Sequence, residues 1–132
     1  MDTETCVYIG PELARYGFGE GHPFGPDRMD AFWKQAQAAS DTGDWDTAGM
    51  LLERALRIEP NEAVLWSELA EVQLHQQNAN QAENLAAKSN AMSLDNPLLN
   101  YRNWLIIARA RELKGDDIGA QEAEYTANSF KP

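Results

Sequence analysis

From residue 29 to the end of the chain, apolar residues return at spacings of three and four, the period of helices that bury one face. The helical stretches come in pairs broken by short polar turns. Gly43-Asp44-Trp45-Asp46-Thr47-Ala48 recurs in form as Gln77-Asn78-Ala79-Asn80-Gln81-Ala82 and as Gly115-Asp116-Asp117-Ile118-Gly119-Ala120. Eleven positions before each turn stands an aromatic residue, Phe32, Trp66 or Trp104. Three further on come Gln35, Leu69 and Ile107, then a small residue each time, Ala36, Ala70 and Ala108. A small residue lets two helices approach closely while the aromatic fills the space beside it. The Gly-Asp pair ends one helix, and its Asp or Asn caps the next. Ala48, Ala82 and Ala120 then mark the crossing of each pair, and Pro60 and Pro97 close the first two units. The interval from Phe32 to Trp66 is 34 residues and that from Trp66 to Trp104 is 38. The extra four amount to about one helical turn, which lengthens a helix without rotating its apolar face far.

The pattern fails before residue 29. Residues 1–28 hold Gly10, Gly17, Gly19, Gly21 and Gly25 with three of the six prolines, and no helical period survives Gly17 to Pro26. At most Cys6-Val7-Tyr8-Ile9 is a short strand and Pro11 to Arg15 one helical turn. The expected organisation is therefore a glycine- and proline-rich segment over 1–28 and a helical domain over 29–132.

With Trp, Leu, Ala, Gly, Ala and Pro at fixed places in a 34-residue period, residues 29–128 resemble three tetratricopeptide repeats (TPRs). The implied fold is all-α, a TPR-type superhelix of three helical hairpins behind a mostly irregular N-terminal segment. Three departures stand out: Gln35 at an apolar position, Gln77 at the turn glycine, and Glu124 where unit three expects an apolar residue. Gln35 and Glu124 suit terminal units that face solvent. The resemblance also implies a concave groove lined by fixed positions of each first helix. Here these are Asp30, Trp33, Gln37, Ser40 and Asp41; then Val64, Ser67, Glu71, Leu74 and His75; then Arg102, Leu105, Arg109, Glu112 and Leu113. Trp33, Gln37, Ser67, Glu71, His75, Arg102, Arg109 and Glu112 are the candidate partner-binding residues among them.

A second resemblance covers residues 7–33. Tyr16-Gly17-Phe18-Gly19-Glu20-Gly21-His22-Pro23-Phe24-Gly25-Pro26-Asp27-Arg28 is similar to the start of a histone-deacetylase-family enzyme, where a Gly-His-Pro loop borders the active site. The chemistry does not follow. A hydrolytic zinc site needs three protein ligands and a general base. The only histidines are His22 and His75, and no Asp-x-Asp or Asp-x-His motif of the required kind accompanies them. No catalytic residues, metal site or cofactor are expected.

Charge narrows the partners. Lys and Arg number 11 against 21 Asp and Glu, a formal net charge of -10, which repels phosphate backbones and anionic lipid. Nucleic acid and membrane are excluded on that ground, and a basic peptide or protein face fits better. One cysteine, Cys6, permits no intrachain disulfide, and the acidic N-terminus begins neither a signal peptide nor a membrane span, so the expected compartment is the cytoplasm. Asp41, Asp44 and Asp46 bunch at one turn but lack the glycine and terminal glutamate of a calcium loop, leaving capping and solvation. Trp33 reads either as an exposed peptide anchor or as a residue covered by the glycine-rich segment. Arg102 and Arg109, seven residues apart on one helix face, either hold an acidic group or form a solvated pair with Glu112. His75 reads as a surface helix residue rather than a ligand.

The expected function is a non-catalytic scaffold that binds a peptide or partner protein through the TPR groove. Two alternatives remain at this stage. One is a truncated or fused deacetylase-family fragment without its zinc site, the other a structural subunit that self-associates into homo-oligomers.

Overall fold

The computed structural model of the chain describes residues 28–93 and 95–132. The glycine-rich segment, with its deacetylase-like run and its expected strand, lies outside them apart from Arg28 and the start of the first helix. Among the described residues are six helices: α1 (Arg28–Asp41), α2 (Trp45–Ile58), α3 (Ala63–His75), α4 (Ala79–Met92), α5 (Pro97–Leu113) and α6 (Asp117–Asn128). They pair as the hairpins α1–α2, α3–α4 and α5–α6, each stacked on the next. The all-α TPR-type architecture read from the repeat is the one observed.

The turns form where Gly-Asp chemistry places them. Gly43 and Gly115 take φ of 80° and 81°, in the left-handed region that costs a glycine nothing. The Asp44 carboxylate then accepts from the Thr47 backbone N–H at 3.3 Å, and Asp116 accepts from that of Gly119 at 2.9 Å. The middle turn departs. Gln77 is held at φ 67°, and Asn78 makes no cap, its amide donating instead to Gln73 Oε1 at 2.7 Å. A side chain in the left-handed region costs about 1–2 kcal/mol. Gln77→Gly is therefore expected to stabilise the protein by about 1 kcal/mol, read as a higher urea midpoint with an unchanged slope.

Helix α3 is the spine of the stack. It is buried nearly all round, sending Leu65, Leu69 and Val72 into one apolar cluster and Ala70 and Leu74 into a second. The first cluster joins α1–α2 through Ala36, Ala48, Leu52 and Ala55; the second joins α5–α6 through Ile106, Ile107 and Ala123. Leu85 of α4 touches both. The alanines expected at the helix crossings, Ala48, Ala82 and Ala120, are buried. At the terminal units the polar departures are solvated: Gln35 and Glu124 are exposed, whereas Leu52 and Ala86, which correspond to Glu124, lie at 1% and 0% exposure. Trp45, Trp66 and Trp104 are half-buried and packed against these clusters. The Trp66 indole N–H donates to the Pro60 carbonyl at 2.8 Å, with Lys88 Nζ 4.4 Å from the ring centroid.

The four-residue insertion lengthens one helix. Helix α5 has 17 residues against 13 in α3, and the added turn is its first. One reading needs correction here: Pro97 opens α5 rather than closing the second unit, because α4 has already ended at Met92. Proline suits a first helical turn, where its missing N–H has no partner to lose. Asn96 caps the turn, accepting from the Leu99 backbone N–H at 3.1 Å. The turn contributes Leu99, which packs on Val64 and Ala63 of α3, and Asn100, whose amide lies 2.9 Å from Asn90 Oδ1 and 3.1 Å from Ser93 Oγ. Asn103 donates to Ser89 Oγ at 2.9 Å, and Ser89 donates in turn to the Ala63 carbonyl at 2.8 Å. This polar seam ties α5 to α4 and to the start of α3.

Candidate partner-binding face

The first helices of the hairpins, α1, α3 and α5, carry the eight candidate residues, and a charged cluster at their centre dominates the geometry. Arg102 of α5 is fully buried, at 0% exposure. Its Nη1 donates to Ser67 Oγ at 3.0 Å, and its Nη2 is ion-paired and hydrogen-bonded to Glu71 Oε1. Glu68 Oε2 lies 3.7 Å from Nη1. One cation thus faces two carboxylates from α3. Arg102 Nε and Glu68 Oε2, both buried, make no hydrogen bond. Such groups are costly to bury, and only the mutual pairing holds them there.

The carboxyl of Glu68 is pushed up to about 7. Burial is the main cause; Arg102 and the Gln37 amide draw it down, while Glu71 and Asp41 push it up. Glu68 therefore senses all three first helices, through Gln37 and Asp41 on α1, Glu71 beside it on α3, and Arg102 on α5. His75 closes the cluster at the far end of α3. Its Nε2 is 3.6 Å from Glu71 Oε2, and its ring stacks on Trp45 of α2 with centroids 4.0 Å apart and planes 3° from parallel.

Several sequence expectations change on this geometry. Arg102 and Arg109 do not form a free cationic pair. Arg102 is occupied by Glu68, Glu71 and Ser67, and Arg109 pairs with Glu112 at 3.2 Å, both half-open to solvent. His75 is not a surface residue but a half-buried ring packed between Trp45 and Glu71. Trp33 is half-buried and packs against the first apolar cluster, so it is not a bare anchor. Ser67 and Glu71 are buried, Gln37 is half-buried, and Glu112, Asp41 and Leu113 are exposed along the same face. Of the three aspartates at the first turn, Asp44 is a cap, Asp41 is exposed, and Asp46 accepts from the Gln76 side-chain amide at 2.6 Å, tying α2 to the end of α3. Among the described residues, no set of three His, Cys, Asp or Glu side chains is arranged to hold a metal ion.

Two participants were missed by sequence reasoning. Glu68 is given no role by the repeat pattern, and Trp45 stands in it only as part of the turn motif. The available signal was Arg102 itself, which stands where the preceding unit has Val64. A charge at a position the neighbouring unit keeps apolar demands a buried partner.

The tetratricopeptide-repeat family matches residues 39–99. Among solved structures, the globular C-terminal domain of P. aeruginosa LpoP matches with a TM-score of 0.75 at 36% sequence identity. That match covers 79% of this chain and 98% of the LpoP domain. No curated protein sequence matches the chain. On its helix pairs, its turn glycines, the matched repeats and this similarity to the LpoP domain, the chain belongs to the tetratricopeptide-repeat family.

Proposed function

We propose that the chain is a non-catalytic scaffold whose inner face, formed by α1, α3 and α5, receives a peptide or a partner protein. The observation that carries this reading is the alignment of unlike groups along one face. Gln37 and Asp41 stand at one end, the Glu68–Glu71–Arg102 cluster in the middle, and Arg109, Glu112 and the 47%-exposed Leu113 at the other. Stacked helix pairs bind by presenting such a mixed surface to an extended segment or a helix, with affinity drawn from burial. A cationic partner is favoured. Arg102 and Arg109 are matched by acids within the face, Arg111 and Lys114 are both paired with Glu83, and the chain carries a formal charge of -10. Expression in the cytoplasm belongs to the same reading.

A photo-reactive amino acid placed in the chain tests it in the cells that make the protein. Probes at Gln37, Leu105 or Leu113 on the inner face are expected to give a covalent adduct with a second protein. Probes at Ile118 and Tyr125, exposed at 72% and 81% on α6, are expected to give none. Adducts confined to the α6 positions would move the interaction to the outer face, and adducts between two copies there would favour self-association instead.

A further inference from the structure

We infer that the slot between α2 and α4 is a second, outer binding site, which takes an arginine side chain of a partner protein. The slot lies on the far side of α3 from the inner face. Leu69 and Gln73 stand two residues beyond Ser67 and Glu71, roughly 200° round the helix. Helices α2 and α4 each pack on α3 and not closely on each other, which leaves a gap of about 270 Å³ over α3. Leu69, 5% exposed, and the half-buried Leu85 supply its apolar lining. Gln73 and the exposed Glu53, Gln81 and Asn84 supply the polar remainder.

The same chain shows how such a gap is filled. At the next joint, between α4 and α6, Arg111 stands where the first joint has Gln73, and Gly119 where it has Gln81, each 38 residues further on. Arg111 crosses that joint. Its Nε donates to Glu83 Oε2 of α4 at 3.1 Å, and its Nη1 donates to the Gly119 carbonyl of α6 at 3.1 Å. Lys114 brings a second cation to Glu83, at 2.7 Å. At the first joint the cation is missing. Gln73 is shorter and neutral, and its Oε1 is taken by the Asn78 amide at 2.7 Å. Glu53, the acid that α2 contributes, has no ion-pair partner among the described residues, and the side-chain amides of Gln81 and Asn84 make no hydrogen bond there.

Arginine fits this combination better than lysine or an apolar side chain. Its methylene stem can lie along Leu69 and Leu85 while the charged head stays at the mouth. The planar guanidinium then offers donors to the Glu53 carboxylate and to the amide oxygens of Gln81 and Asn84 together. A lysine brings a point charge that cannot span these acceptors, and a leucine leaves the carboxylate unanswered. Charge points the same way. The arginines of the inner face are matched by acids within it, whereas the slot holds an acid and no cation, on a chain of formal charge -10. The two sites are separate, so neither reading depends on the other.

Titration of the full chain with the blocked tripeptide acetyl-Ala-Arg-Ala-amide, followed by its backbone amide resonances, tests the site. Saturable shifts are expected at Leu69, Gln73, Gln81, Asn84 and Leu85, with a Kd on the order of millimolar, as suits one side chain without the rest of an interface. The citrulline peptide, of the same shape without the charge, and the lysine peptide should each bind at least about threefold more weakly. Glu53→Gln should weaken the arginine peptide by at least about fivefold, whereas Glu124→Gln, which removes an exposed acid from α6, should leave it unchanged. Gln73→Arg, which places in the first joint what Arg111 places in the second, should fill the slot and abolish the shifts. Lack of saturable shifts at the slot, equal binding of the citrulline or lysine peptide, binding that survives Glu53→Gln or Gln73→Arg, or an equal loss in Glu124→Gln would each overturn the inference. If Gln73→Arg fails to fold, the peptide series and Glu53→Gln decide it.

Discussion

Arg102→Met is expected to destabilise the protein by about 3–5 kcal/mol at neutral to alkaline pH, measured by urea denaturation of the full chain. Methionine fills most of the slot, so little of the loss is a cavity. The cost comes from what stays behind: Glu68 and Glu71, exposed at only 3% and 5%, lose the cation that justified their burial, and the Ser67 hydroxyl loses its donor. The Glu68 carboxyl, already raised by burial, can escape by taking up a proton. The loss should therefore shrink as the pH falls toward 5, opposite to the behaviour of an exposed ion pair, whose loss is small at any pH. Arg102→Lys should recover only part of the stability, because a point charge with rotatable donors cannot span Ser67, Glu68 and Glu71 as the planar guanidinium does. An Arg102→Met protein as stable as the wild type at pH 8 would mean that the guanidinium is not buried among these groups.

The second large effect lies in the apolar seam. Leu65→Ala should cost about 2–5 kcal/mol, since Leu65 is completely buried between α3 and the first hairpin, in one cluster with Ala36, Leu52 and Leu56. The void opens where two hairpins meet rather than inside one. The lost free energy should consequently appear as weaker coupling of α1–α2 to the rest, with a broadened or two-step unfolding curve replacing a single transition. Ile118→Ala serves as the contrast. At 72% exposure its side chain supports no cluster, and its effect should stay within about 0.5 kcal/mol. Comparable losses for the two substitutions would deny that the hairpins share a core.

Much of the fold was legible because its signals are local. The turn glycines at 43 and 115, the caps at Asp44 and Asp116, and the small residues at the crossings are each dictated by backbone geometry within a few residues. The four-residue insertion was legible as a longer helix. Its purpose was not, because Leu99 and Asn100 find their partners on α3 and α4 rather than along their own helix. Pro97 was misread for a related reason: a proline marks a helix boundary equally well from either side. The inner face was legible as a set of helix positions, yet its electrostatics were not. Arg102 meets Glu71 across 31 positions of sequence, and Trp45 stacks on His75 across a hairpin boundary. Periodicity says which face a residue occupies, not which neighbour of opposite charge shares it. Arg102, read as holding an acidic ligand or as part of a solvated pair, is instead paired within the protein, to Glu71, Glu68 and Ser67.

That internal pairing is where the stack of hairpins and the character of the inner face are joined, and a double-mutant cycle between Arg102 and Glu71 reads it directly. Stabilities of Arg102→Met, Glu71→Gln and the double variant, at pH 8, should give a coupling of about 2 kcal/mol or more, with the double variant far more stable than the two single losses added together. Additive losses, with no coupling between α3 and α5, would contradict the side-by-side placement of the first helices on which the account of the face depends.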